Sequence, residues 1–86
     1  MINNVVLSGC YKGFEDNNLL LKIEGLENHQ IVKIYINESL KDELKKHLRI
    51  DDLVGVKGYI EIDDIRRIVI VATKITFLSS KKKAQN

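Results

Sequence analysis

Proline and tryptophan are absent from these 86 residues, and cysteine occurs once. Without proline, bends must be made by glycine, asparagine and aspartate, which tolerate turn geometry. A lone Cys10 cannot close an internal disulfide, and no Cys/His group has zinc-site spacing, so no metal or other cofactor is expected. Cys10 reads as a small packing residue, with a reactive thiol as the other reading. No apolar run approaches the ~18 residues of a membrane span, and no charged-then-apolar leader opens the chain. A cytoplasmic protein with no membrane partner is the expectation.

Charge of one sign is also scarce. Fourteen Lys plus Arg stand against twelve Asp plus Glu, for +2. Lys81, Lys82 and Lys83 carry that excess; without them the count is eleven against twelve, or −1. A strong phosphate binder concentrates positive charge on one face, so the argument must rest on where side chains point. Catalytic signals are sparse. His29 and His47 have no sequence-local carboxylate and nucleophile in a triad arrangement. The pairs Asp51-Asp52 and Asp63-Asp64 fall where the chain turns, which aspartate favours for backbone reasons. The five glycines are scattered and form no phosphate loop. No catalytic residue is assigned, and an enzyme is not expected.

What is present is alternation. Ile2 to Gly9 reads as a strand, with Val5 and Leu7 on one face and Val6 and Ser8 on the other. Gly9 to Asn18 reads as a bend and loop, carrying Tyr11, Lys12 and Phe14. Leu19, Leu21 and Ile23 alternate with Leu20, Lys22 and Glu24, and Gly25 to His29 turns the chain. From Gln30 to Asn37, Val32, Ile34 and Ile36 point inward while Ile31, Lys33, Tyr35 and Asn37 point outward. Leu40, Leu44 and Leu48 then switch to a spacing of four, a short amphipathic helix with Asn37 or Ser39 as its cap. Val54, Val56, Gly58, Ile60 and Ile62 share the next inward face, leaving Lys57, Tyr59 and Glu61 outside. Asp63-Asp64 starts a tight turn, Arg66 opens a last strand to about Leu78, and Phe77 reads as core. Residues 1–78 form one domain, and 79–86 a flexible basic tail. Five strands with a helix between the third and fourth is the layout of an all-β OB-fold, a five-stranded Greek-key barrel.

Two segments carry a family likeness. Ile2, Asn3, Val5, Leu7 and Gly9 fall at the spacing that opens bacterial single-stranded DNA-binding proteins. The runs 53–59 (LVGVKGY) and 71–78 (VATKITFL) extend the resemblance to nearly the whole chain. The chain resembles a reduced member of that family, about as short as the small primosomal replication proteins. The resemblance implies the same fold, no bond chemistry, single-stranded DNA as partner, and pairing of subunits through their first strands. A homodimer is then expected, a tetramer second, with other replication proteins as possible partners. The pattern also breaks. Asn37 and Ile31 stand where relatives carry aromatics, the region 61–65 is acidic and short, and the lysine-rich end has the opposite charge to the family's recruiting tip.

On an OB barrel the nucleic acid crosses the outer face of strands two and three, where bases need flat apolar partners and phosphates need cations. The candidate contacts are Lys22 on the second strand, Ile31, Lys33 and Tyr35 on the third, and Lys57 and Tyr59 on the fourth. Lys12 on the first loop and Arg66 and Arg67 at the last hairpin complete the set. Each has a plainer reading: tyrosine favours strands, hairpin tips are commonly charged, and Phe14 either clasps the nucleic acid or plugs the barrel. The expected function is single-stranded DNA binding of low sequence specificity in replication or recombination. The alternative is an OB barrel that has lost this face and serves protein assembly.

Overall fold

The computed structural model describes residues 3–23 and 30–80. Within them the elements are β1 (Val5–Glu15), β2 (Asn18–Ile23), β3 (Ile31–Tyr35), α1 (Glu38–His47), β4 (Leu53–Ile62) and β5 (Ile68–Ser79). The strands close into a barrel in the order β1-β2-β3-β5-β4, with β3 and β5 parallel and every other pair antiparallel. This is the OB-fold expected from the alternation, with its helix between β3 and β4. The turn expected at 25–29 and the lysines at 81–83 lie outside the described residues.

The core is the inward set of each strand. Leu19, Leu21, Ile34, Ile36 and Val54 are fully enclosed and Val56 nearly so, each contributing roughly 1.5–3 kcal/mol by leaving water. Leu44 of α1 joins them, and Leu40 and Leu48 pack against the same cluster. Asn37 is the cap: its Oδ1 accepts from the Leu40 N–H at 2.8 Å, so it ends the strand reading and opens the helix. The basic residues Lys45 and Lys46 in the last turn suit the helix dipole.

Three bulges explain where alternation misleads. In β1 the ladder runs from Tyr11↔Leu21 to Phe14↔Leu19, so one extra residue sits at Lys12-Gly13. Gly13 takes φ 105°, a conformation that suits glycine. The expected loop is therefore strand: β1 continues to Glu15, and only Asp16-Asn17 turn the chain into β2. Because the bulge shifts parity, Tyr11 and Phe14, three apart, both face the core. Tyr11 is 6% exposed, and its ring meets Phe14 edge-on at 5.8 Å. Burial holds the Tyr11 hydroxyl above its ordinary ionisation range. Phe14 packs against the core, which favours the plug over the clasp.

The second bulge lies in β5. Gly58 opposes Ala72 and Lys57 opposes Lys74, leaving Thr73 as the extra residue. The third leaves Leu78 unpaired between Val54↔Phe77 and Leu53↔Ser79. Ser79 thus belongs to β5 rather than to a tail.

Three inward assignments are corrected. The β1 ladder ends at Val5↔Gly58, so the β4–β5 hairpin projects beyond the barrel, and Ile60 and Ile62 have no opposite wall. Both are exposed, as are Ile65 and Ile68. Phe77 is also exposed rather than core, because β3 meets β5 only at Ile34↔Ile70 and Tyr35↔Val71, well before that residue. Arg66 does not start the last strand. It sits in the turn with φ 63°, and β5 begins at Ile68.

A candidate nucleic-acid interface

The outer face of β2 and β3 is built by register. Lys22 opposes Ile31, Leu20 opposes Lys33, and Asn18 opposes Tyr35. Ile31, Lys33 and Tyr35 are exposed and Lys22 is half-buried. Directly opposed residues project to the same side of a sheet, so the row continues past β3. Tyr35 opposes Val71 of β5, and Val71 opposes Tyr59 of β4. Two tyrosines 24 positions apart in sequence thus flank one valine across three strands. Closing the barrel is what brings them together.

The cations divide into free and engaged. Lys12 pairs with Asp51, which links β1 to the α1–β4 connection. Arg67 donates through Nε to Asp63 Oδ2 at 3.0 Å. Lys33 meets Glu15 at 2.8 Å with both side chains more than half exposed, an ion pair worth at most ~1 kcal/mol that a phosphate can displace. Lys22, Lys57 and Arg66 form no ion pair among the described residues. Of the nine residues anticipated, the register therefore gathers Lys22, Ile31, Lys33, Tyr35, Tyr59 and Lys57 on one outer surface. Lys12 is occupied elsewhere. Arg66 and Arg67 lie at the hairpin tip, apart from the tyrosine row.

Sequence reasoning missed Val71 and Lys74. Alternation from the buried Ala72 turns Lys74 inward; the extra Thr73 reverses the parity and sets Lys74, exposed, opposite Lys57. The Thr73 hydroxyl donates to the Lys57 carbonyl at 3.1 Å and ties this bulge across the strands. No signal in the sequence alone marks that position.

At the hairpin tip, Asp63 Oδ1 accepts from the Ile65 and Arg67 backbone N–H groups at 3.0 and 2.8 Å. The Arg67 backbone bond leads in holding this carboxyl below its ordinary 3.8. Within this acidic segment it is Asp63 that serves the turn. No group of three or more His, Cys, Asp or Glu side chains among the described residues is arranged to hold a metal ion, and no described helix is long and apolar enough to cross a membrane.

Neither a family model nor a curated protein matches the chain. Solved structures do. A mitochondrial single-stranded DNA-binding protein of S. cerevisiae superposes with a TM-score of 0.73 at 16% identity, covering 93% of this chain and 98% of that one. The single-strand-binding domain of a Synechococcus protein gives 0.63 at 15% identity, over 88% and 96%. An OBody bound to hen egg-white lysozyme gives 0.68 at 20% identity, over 90% and 79%. At these identities the likeness establishes the fold, and it is the fold that the resemblance to single-strand binders implies.

Proposed function

We propose that this protein binds single-stranded DNA without bond chemistry and with little sequence preference. The observation that carries the reading is the Tyr35–Val71–Tyr59 row, flanked by Lys22 and Lys33 on one side and Lys57 on the other. Bases of any sequence can stack on such a row, and the lysines neutralise the phosphates between them. The named activity of the yeast and Synechococcus neighbours supports the same reading. Strands of this kind arise in replication and recombination, which would place the protein in the cytoplasm with other replication proteins as company. Lys81 to Lys83 would add non-specific attraction.

A homodimer fits this role. The β2 ladder stops at Gly9↔Ile23, so the Val5–Ser8 edge of β1 on that side has no strand partner among the described residues. Antiparallel pairing of two such edges would extend the sheet across both subunits.

A protein-binding reading has its own support. The OBody neighbour holds a protein on the same fold, and Lys12 and Arg67 are neutralised internally. Fluorescence anisotropy with labelled oligo-dT at low and moderate salt separates the two. Micromolar or tighter binding that weakens steeply with salt is expected. No binding at low salt leaves the protein-binding reading.

A further inference from the structure

Lys57 and Lys74 stand directly opposite one another on β4 and β5, both exposed, and neither forms an ion pair among the described residues. Like charges in opposed positions destabilise a sheet pair. The arrangement gains a use only when an anion arrives. Beside the pair lies a groove of about 440 Å³ on the outer face of β1, β4 and β5. Gly55 lies among its lining residues with Val6 and Leu78, while Ser8 and Thr76 supply hydroxyls. The lysines and the groove are continuous by register: Val6 opposes Lys57, and Ser8 opposes Gly55, which opposes Thr76. Tyr59 lies two residues from Lys57 on the same face of β4, so the groove begins where the tyrosine row ends.

We infer that the groove is a second nucleotide subsite, occupied by the same single strand that crosses Tyr35 and Tyr59. Lys57 and Lys74 each take one phosphate of the strand, and the adjoining base enters over Gly55 against Val6 and Leu78. This rests on the reading of the tyrosine row as a single-strand surface. Charge selects the occupant. The lining of the groove contains two lysines and no carboxylate. A second copy docked there about a two-fold axis would bring two Lys57–Lys74 pairs together, four ammonium groups with no counter-charge. A polyanion meets the opposite situation. The absence of a side chain at Gly55 leaves the groove open: the nearest atoms a Cβ there would meet belong to the Leu78 side chain, at 3.7 Å or more. Gly55→Val therefore fills the groove with a strand-favouring residue and no backbone clash.

The test is an amide NMR titration of the full chain with oligo-dT of about 4 and about 12 nucleotides, a short and a longer length within the usual span of one OB barrel. The longer oligomer is expected to shift Gly55, Lys74 and Thr76 together with Tyr35 and Val71. Gly55→Val and Lys74→Gln are each expected to weaken the longer oligomer about 10-fold at low salt while leaving the shorter nearly unchanged. Lys74→Gln should also make the slope of log K against log salt shallower by about 0.7, from one lost phosphate contact on a single strand. Shifts at Tyr35 and Val71 without the groove would overturn the subsite and keep the function. No shifts anywhere would overturn both. Sedimentation showing a dimer that Gly55→Val dissociates would assign the groove to a second copy instead.

Discussion

A Cβ at Gly58 would lie 1.9 Å from the Val71 carbonyl oxygen, and one at Gly9 would lie 2.2 Å from that of Lys22. At both positions the neighbouring strand's backbone passes where a side chain would begin. These glycines belong to the segments that carry the family likeness, and their role is strand approach rather than ligand contact. Gly58→Ala is expected to destabilise the fold by about 1–3 kcal/mol or more, as overpacking does, read from a denaturant midpoint; an unchanged midpoint would contradict the close crossing. Tyr35 is a different case, since its exposed ring contributes little packing; Tyr59 in the same row is half-buried. Tyr35→Ala is expected to weaken oligo-dT by roughly 5- to 150-fold, the equivalent of one stacked base at about 1–3 kcal/mol, with the denaturant midpoint nearly unchanged. Equal binding by wild type and variant would remove the row from the interface. The outward direction of Tyr35 and Lys33 was legible from strict alternation between Gln30 and Asn37. That Tyr35 and Tyr59 share a row was not, because it depends on the parallel β3–β5 contact between distant segments.

At the level of elements, legibility followed the bulges. β2, β3 and α1 contain none, and their inward faces agree with the periodicity of their residues. In β1 and β5 one extra residue reverses parity midway, so Tyr11 was read as loop and Lys74 gave no signal. A glycine marks the first bulge, whereas a threonine occupies the second, which no composition rule flags. The projecting β4–β5 hairpin is held at both ends by side chains acting as backbone. Asn3 Nδ2 donates to the Ile60 carbonyl at 2.7 Å and its Oδ1 accepts from the Ile60 N–H at 3.0 Å, extending the β1–β4 ladder by one amide. Asn3→Ala is expected to raise amide exchange at Ile60 and along the hairpin while sparing Val54 and Val56; uniform exchange across β4 would argue against a local clamp. At the far end, Asp63 gathers the turn. Its folded-state ionisation lies below 3.8, so its contribution is complete above that value and is lost as pH falls through the depressed one. The Ile65 and Arg67 amide shifts should therefore titrate with a midpoint under 3.8. A midpoint at or above it would mean that the carboxylate does not hold the tip.

For the molecule as a whole, near-neutral charge and the proposed nucleic acid partner are reconciled by where the lysines sit. The net charge of +2 averages over ion pairs that never reach a ligand. Lys12 and Arg67 count toward the total and toward any motif-based list of contacts, yet Asp51 and Asp63 hold them. Among the described residues the closed barrel instead leaves Lys22, Lys57 and Lys74 without an ion pair, with Lys33 in an exposed one that a phosphate can displace. Each neutralised phosphate on a single strand contributes about −0.7 to the slope of log K against log salt, so four contacts give a slope near −3. Counting Lys12, Arg66 and Arg67 as well would steepen it to about −5. Titration of oligo-dT across salt concentrations separates these values, and Lys12→Gln tests the division directly. That variant is expected to leave the slope unchanged and to lower stability by no more than ~1 kcal/mol, the range for a partly exposed ion pair. A shallower slope in Lys12→Gln would mean that the lysine leaves Asp51 for the phosphate, and the bound strand would then run along β1 as well.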